Sequence, residues 1–437
     1  MSQSPTVFWN RPPMPTTPTF PTLRQTIAGI GVVDLSRQFG TPTYVYDAAR
    51  IAERIADLAA FDVVRYAQKA NSNLAVVDLA RRHGALVDTV SAGEIHRALA
   101  AGYRPGGDPP QIVYTADIFD ADSLRMVLEH DIHTNAGSPD MIDQLGAAAP
   151  GRNLTLRINP GFGHGHSQKT NTGGEHSKHG IWHEQLDDVL RRADRHGLSV
   201  TGVHVHIGSG TDLEHLSQVC GAMERAALAV GRSITAVSVG GGLPVVYREG
   251  ESYVDVARYY QLCDEARQRL AQKFGHQVRL EIEPGRYLVA ESGYLVTEIR
   301  AVKQTGANTF YLVDAGFNTL ARPILYGAYH PMSIAPRDGA TSRPEHDVVV
   351  GGPLCESGDI FTQREGGFVC TRRLPVAAVG DFLVIECAGA YGSVMASNYN
   401  SKPLPAEVLI EAGTAHLVRR RQSLDDLVRG ETIPSRG

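Results

Sequence analysis

The residues with the most chemistry to offer recur at the ends of short apolar runs. Lys69 sits in YAQKAN (66–71), directly after one of them. An ammonium at the end of a buried strand is costly to keep charged, and a neutral amine attacks a carbonyl to form a Schiff base. The run Gly240–Gly242 leaves backbone N–H groups open to an anion, and Gly208 with Ser209 in HVHIGSG (204–210) offers a second such nest. His206 of the same motif can stack on a flat ring. Glu283, held ahead of Pro284 in EPGR (283–286), can answer a protonated ring nitrogen. An amine for an aldehyde, a cradle for a phosphate, an imidazole for stacking and an acid for a pyridine nitrogen converge on pyridoxal phosphate. Taken singly, each residue has an ordinary reading: a snorkelling surface lysine, a glycine-rich loop, a hydrogen-bonded core histidine. What argues against those readings is that polar and glycine residues return at the same end of successive strands.

The elements that must position these groups follow from the hydrophobic pattern. Eight β-branched runs are expected as strands: Asp62–Ala67, Ala85–Val90, Gln111–Thr115, Asp131–Asn135, Leu154–Asn159, Val200–Ile207, Ile234–Val239 and Gln277–Glu283. Helix signals lie between them. Asp47 can cap a helix with Ile51, Ile55 and Leu58 on one face; Ser91 and Glu94 have capping-box spacing, with Gly102 at the expected stop; Ser72 and Gly84 bracket another helix. Eight strand–helix units over about 240 residues are the arithmetic of a (β/α)8 barrel, in which functional groups gather at the carboxyl ends of the strands. A doubly wound open sheet is the competitor that periodicity alone does not exclude.

After Gly285 the pattern becomes short strand-like runs punctuated by Gly and Pro: Tyr294–Lys303, Thr309–Val313, His346–Val350, Phe382–Glu386 and Ala415–Val418. That predicts a β-rich, sandwich- or barrel-like domain. His330–Glu345 reads as a surface loop, and Ser423–Val428 as a short helix. The expected organisation is a Pro-rich arm over 1–24, an N-terminal segment over 25–42 that packs on the β-rich domain, an α/β barrel over 43–285 and the β-rich domain over 286–437.

Composition narrows the class of function. The 437 residues carry a formal net charge of −5, which offers no basic field for nucleic acid. No apolar run reaches the ~20 residues of a membrane-spanning helix. The cysteines at 220, 263, 355, 370 and 387 are odd in number and scattered, which fits a reduced, cytoplasmic enzyme better than a disulfide scaffold. The start, MSQSPTVFWNRPPMP, lacks the basic and apolar regions of a secretory signal. His164, His166, His176, His179 and His183 crowd one stretch, but the intervening GHSQKTNTGG is loop-like, and no metal site is expected there.

The order and spacing of the motifs resemble the barrel-type pyridoxal-phosphate-dependent decarboxylases, in the bacterial branch acting on diaminopimelate. The resemblance covers about residues 40–425. It rests on YVYD (44–47), YAQKAN, VSAGE (90–94), RINPGFGHGHSQKTNTGG (157–174), HVHIGSG, GGGL (240–243), EPGR, DAGFN (314–318), RPILYGAYH (322–330), GPLCESGD (352–359) and GAYGSVMASNYNSKP (389–403). It implies that Lys69 binds pyridoxal 5'-phosphate covalently and that His206 stacks on its ring. Ser209, Gly241, Gly242 and the backbone of Glu283, Pro284, Gly285 and Arg286 would take its phosphate, and Glu283 its ring nitrogen. Arg286, Arg322 and Tyr326 would meet the substrate's far carboxylate, Glu356 its far end, and Tyr391 both cofactor and substrate. Cys355 would donate the proton. Because Cys355 and Glu356 serve the partner subunit in that family, a homodimer with shared sites is implied. The implied reaction converts meso-diaminopimelate to lysine and carbon dioxide. A sibling decarboxylase of another amino acid and a non-catalytic pyridoxal-phosphate binder are the alternatives. Two arginines for a second carboxylate favour the first.

Overall fold

In the computed structural model the residues described are 20–163, 172–209, 212–231 and 233–435. Eight short runs form one parallel sheet: β1 (Val63–Ala67), β2 (Leu86–Thr89), β3 (Ile112–Ala116), β4 (His133–Ala136), β5 (Asn153–Asn159), β6 (Ser199–Val205), β7 (Ala236–Ser238) and β8 (Arg279–Ile282). Each pairs with the next in sequence, β8 pairs with β1, and the β5–β6 pairing completes the ring. The sheet is therefore a closed (β/α)8 barrel rather than an open doubly wound sheet.

Local chemistry explains where the helices start. The Asp47 carboxylate accepts from the N–H groups of Ala49 and Arg50, and Ile51, Ile55 and Leu58 are buried behind that cap. Ser91 caps at Glu94 N–H, but the Glu94 carboxylate takes the Val90 N–H, so the expected capping box is only half formed. Asn73 rather than Ser72 caps the helix Leu74–Arg82. Gly102 and Gly84 follow their helices at φ 88° and 84°, conformations that glycine adopts without strain.

Two expectations need correcting. Thr43–Asp47, assigned with the barrel on sequence, is a strand of the other domain. It runs parallel to Ala406–Glu411 and antiparallel to Gly293–Thr305. Its partners lie some 250 and 360 residues away, so local periodicity could not reveal them, and the barrel begins at the helix that Asp47 caps. Within His330–Glu345, read as a surface loop, Met332–Ala335 is a buried strand paired with Phe382–Ile385. Pro331 and Pro336 bracket it and gave the segment its loop-like look.

The β-rich domain is a second sheet of nine strands. Its long strand, Gly293–Thr305, pairs with Thr43–Asp47, Asn308–Val313 and Phe382–Ile385. Residues 25–42 lie on it, with Ile27, Val32 and Leu35 packed in one cluster with Val45, Val296 and Val384. The short helix Leu424–Val428 carries its full capping box from Ser423. The two domains touch beside the barrel mouth: Tyr391 N–H donates to Ala70 O at 2.7 Å and Asn71 Nδ2 to Gly389 O at 3.1 Å. Among the described residues no helix is long and apolar enough to cross a membrane.

Candidate active site

The carboxyl ends of the barrel strands open into a cavity of about 540 Å³. Lys69, His206, Ser209, Gly241, Gly242, Glu283, Pro284, Gly285 and Arg286 line it from the barrel, and Arg322, Tyr326 and Tyr391 from the β-rich domain. Those twelve residues were singled out on sequence and come together at one place. Cys355 and Glu356 do not join them: both are exposed on a segment outside the cavity, where Cys355 N–H donates to Asn400 Oδ1 at 2.8 Å.

Lys69 is not a buried strand residue as its surroundings in sequence suggested. β1 ends at Ala67, and the chain turns through a 3-10 turn, Gln68–Ala70, that leaves the Lys69 side chain exposed within the mouth. The turn itself is fixed on both sides. Gln68 Nε2 donates to Glu94 O at 2.9 Å, and Tyr66 Oη donates to Asn71 O at 2.6 Å. Among the described residues nothing hydrogen-bonds the Lys69 amine. A rigid backbone thus presents a free amine to the cavity.

Glu283 lies at the end of β8, 6% exposed. Burial opposes its charge, but His204, with Nε2 at 2.8 Å, and the Ser238 hydroxyl, donating at 2.8 Å, outweigh burial and hold its carboxyl well below the usual range. Asp88, across the mouth, goes the other way: burial and the charge of Glu283 push it up to about 6. Two acids facing one space are separated by their surroundings into an ionised and a readily protonated carboxyl. His204 and Ser238 escaped the reading of sequence. The signal for His204 was there, since it stands two residues from His206 and a strand turns both to the same side.

His206 is half-buried at the mouth, and its Nδ1 has no hydrogen-bond partner among the described residues. Burial, with Arg157 and Lys69 adding to it, holds the ring well below its ordinary pKa, so it is neutral. Beside it the glycine run is a close-approach cradle. A Cβ at Gly240 would fall 2.7 Å from His206 Cβ, and one at Gly241 2.6 Å from Glu283 O. Gly242 has φ 100°. Side chains are excluded there; the Gly240 N–H donates to Ser238 Oγ at 3.1 Å, which leaves the N–H groups of Gly241 and Gly242 for an anion. In the stretch 283–286, Glu283 N–H is engaged by Gly240 O and Pro284 has none, which leaves Gly285 and Arg286 as backbone donors.

Arg286 and Arg322 are each 7% exposed. Arg286 Nε donates to Ser209 Oγ at 3.3 Å, and its guanidinium stands 5.0 Å from the Tyr391 ring centroid. Tyr391 has φ 56° and is pinned by its N–H bond to Ala70 O. Of the histidine-rich stretch, His164 and His166 lie outside the described residues, while His179 Nδ1 pairs with Asp117 Oδ2 at 2.5 Å.

These residues fit pyridoxal phosphate. The open amine, the ionised Glu283, the neutral His206 with its unpartnered nitrogen and the glycine cradle answer, in turn, an aldehyde, a protonated ring nitrogen, a ring face and a phosphate. Fold and cavity together define a barrel enzyme built around that cofactor.

Comparison with known proteins makes the assignment narrower. Residues 48–290 match the family model "Pyridoxal-dependent decarboxylase, pyridoxal binding domain". The diaminopimelate decarboxylase of Escherichia coli K12 is 55% identical over 401 residues, 91% of this chain and 96% of the relative. That of Streptomyces coelicolor is 52% identical over 424 residues, 97% of this chain and 96% of the relative. A crystal structure of diaminopimelate decarboxylase superposes with a TM-score of 0.89 at 55% identity, covering 91% of this chain and 95% of that one. The chain belongs to the pyridoxal-dependent decarboxylase family, in its diaminopimelate decarboxylase branch. It is a carboxy-lyase, and its cofactor is pyridoxal phosphate.

Proposed function

We propose that the enzyme converts meso-2,6-diaminopimelate to L-lysine and carbon dioxide, the last step of lysine biosynthesis. The observation that carries the substrate is the pair Arg286 and Arg322, two buried guanidiniums on the cavity without a carboxylate partner among the described residues. Such a pair suits a second carboxylate at the far end of the substrate. Decarboxylation of ornithine or lysine would have no use for it.

Bound pyridoxal phosphate supplies the electron sink for the pair left on the α-carbon when carbon dioxide departs. The chain's residues do the rest. Lys69 tethers the cofactor through its amine. Glu283, kept ionised by His204 and Ser238, holds the proton on the ring nitrogen. His206, held neutral, would lie against the ring and add no competing positive charge. Ser209, Gly241 and Gly242, with the donors of Gly285, Arg286 and Tyr391, bind the phosphate. Arg286, Arg322, Tyr326 and Tyr391 hold the substrate, its far carboxylate against the arginines. One proton must return to the α-carbon, and the Cys355 thiol donates it. Glu356 takes the far ammonium.

Cys355 and Glu356 are exposed and outside their own cavity, which supports a homodimer in which each subunit's segment completes the other's site. Free cysteines at all five positions support a reducing, cytoplasmic location. The deciding experiment is carbon dioxide release from the meso, LL and DD isomers. Release from meso alone is expected; binding of the cofactor with no release from any isomer sinks the proposal. Mixing Lys69→Ala with Cys355→Ala should restore activity that neither has, and failure to do so rejects the shared site.

A further inference from the structure

Buried guanidiniums are ordinarily answered by an acid, since an unpaired buried charge is strongly unfavourable. Arg286 and Arg322 are answered by neutral groups. The Tyr247 hydroxyl oxygen accepts from Arg286 Nη1 at 3.2 Å and from Arg322 Nη1 at 3.4 Å. His330 Nε2 stands 2.9 Å from Arg322 Nη1, and its Nδ1 stands 3.0 Å from the carbonyl oxygen of Glu386. That pairing assigns the tautomer: Nδ1–H donates to the carbonyl, and the Nε2 lone pair accepts from the guanidinium. Burial, with Arg322 adding to it, keeps His330 neutral. The two rings meet edge to face at 5.6 Å and 82°, so they brace one another. Glu386 gives His330 only its backbone, while its carboxylate takes Arg24 at 2.8 and 2.9 Å and Ser333 at 2.9 Å.

We propose that Tyr247 and His330 are positioning residues for specificity: they aim Arg286 and Arg322 through neutral acceptors, so that both positive charges stay available to the far carboxylate of the substrate. The proposal rests on the dicarboxylate reading above. A carboxylate at position 330 could hold Arg322 in place as well, but would cancel the charge that the substrate must meet. Neutrality of the brace, rather than its mere presence, thus keeps both charges free for the substrate.

The test compares wild-type holoenzyme with Tyr247→Phe, His330→Gln and His330→Glu, measuring kcat and KM for meso-diaminopimelate and, separately, the inhibition constant of pimelate, a dicarboxylate without amines. Cofactor absorbance and melting temperature establish that each variant is folded and loaded. Tyr247→Phe loses one hydroxyl shared by two charged donors and should raise KM roughly tenfold, with kcat nearly unchanged. His330→Gln keeps a neutral acceptor and should stay close to wild type. His330→Glu should raise both KM and the pimelate constant by on the order of thirtyfold or more. Equal constants for the Gln and Glu variants, or a loss confined to kcat, overturn the proposal. If His330→Glu does not fold, Tyr247→Phe decides alone: an unchanged KM overturns the proposal. If wild type binds pimelate but releases no carbon dioxide from diaminopimelate, the substrate reading fails, while the dissociation constant of pimelate, read by calorimetry on the same variants, still tests the brace: equal constants for the Gln and Glu variants overturn it.

Discussion

Two arginine clusters, one inside the barrel and one at its mouth where the β-rich domain joins it, are wired in opposite ways. Inside the barrel, beneath the mouth, Glu281 of β8 accepts from Arg65 Nε at 2.6 Å and from Arg279 Nε at 2.8 Å, and Arg65 Nη1 also donates to Pro110 O at 2.6 Å. Arg65 is 2% exposed and Glu281 6%, and every charge there has its counter-charge. A few residues along the same chain, Arg286 is held by Ser209 and Tyr247, and Arg322 by Tyr247 and His330, with no acid between them among the described residues. The first cluster is closed and structural. The second is open and leaves its charge for something that arrives. In a barrel the carboxyl ends carry chemistry and the rest carries stability, and here the difference can be read from what each arginine is paired with.

The contrast breaks most sharply at the reactive amine. Lys69→Ala should reduce carbon dioxide release to background and abolish the visible absorbance of the bound cofactor, because no other lysine among the described residues lines the cavity. The Lys69 side chain is exposed, so the melting temperature of the cofactor-free chain should hardly move. Next in size is Arg322→Met. Losing one of two buried charges that meet the substrate should raise KM by on the order of 100-fold, with a smaller change in kcat. Steady-state kinetics read that split, and a pure kcat defect would remove Arg322 from substrate binding. Glu281→Gln should do the reverse. Stranding Arg65, while Arg279 keeps Asp108 at 2.8 Å, should destabilise the fold by roughly 3–5 kcal/mol in a denaturant titration, while the folded fraction keeps kcat and KM within a few-fold. A kinetic collapse without a stability loss would erase the distinction between the two clusters.

Much of this was legible before any coordinates. The eight barrel runs announced themselves because a strand covered on both faces is a continuous apolar stretch, and polar or glycine residues return where it ends. Lys69, His206, Ser209, the glycine run and Glu283 could be read as one constellation on chemistry alone. Residues supplied by the β-rich domain, such as Arg322 and Tyr391, came only through the family's motifs, since nothing local ties them to a barrel mouth. Tyr247, Ser238 and His330 were invisible. Tyr247 and Ser238 act only through partners 39 to 75 positions away in the chain, and His330, though 8 positions from Arg322, is oriented by the Glu386 carbonyl 56 positions away. The pairing of Thr43–Asp47 is hidden for the same reason: a strand's sequence shows that it is buried, not which sheet buries it.

The smallest expected effect sharpens the comparison through pH. Asp88 at the mouth is pushed up to about 6 from 3.8 by burial and by Glu283. Its folded form therefore holds a proton that the unfolded chain releases, and the stability this contributes is present below pH 3.8 and is lost as pH rises towards 6. Glu281 beneath the mouth has the opposite sign. Burial is outweighed by Arg65, its carboxyl is lowered, and the stability it contributes is present above the ordinary carboxylate pKa and is lost on acidification. Denaturant midpoints of the cofactor-free chain between pH 4 and 6 should separate the two. Asp88→Asn should lessen the loss of stability on going up through that window. Glu94, pushed up to about 7 by burial, titrates with the same sign as Asp88, so the wild-type trend should shrink in that variant without vanishing. Glu281→Gln should instead remove a contribution that grows with pH. Two substitutions that each delete one acid from the same barrel would then tilt the profile in opposite directions, which no uniform change in net charge can do.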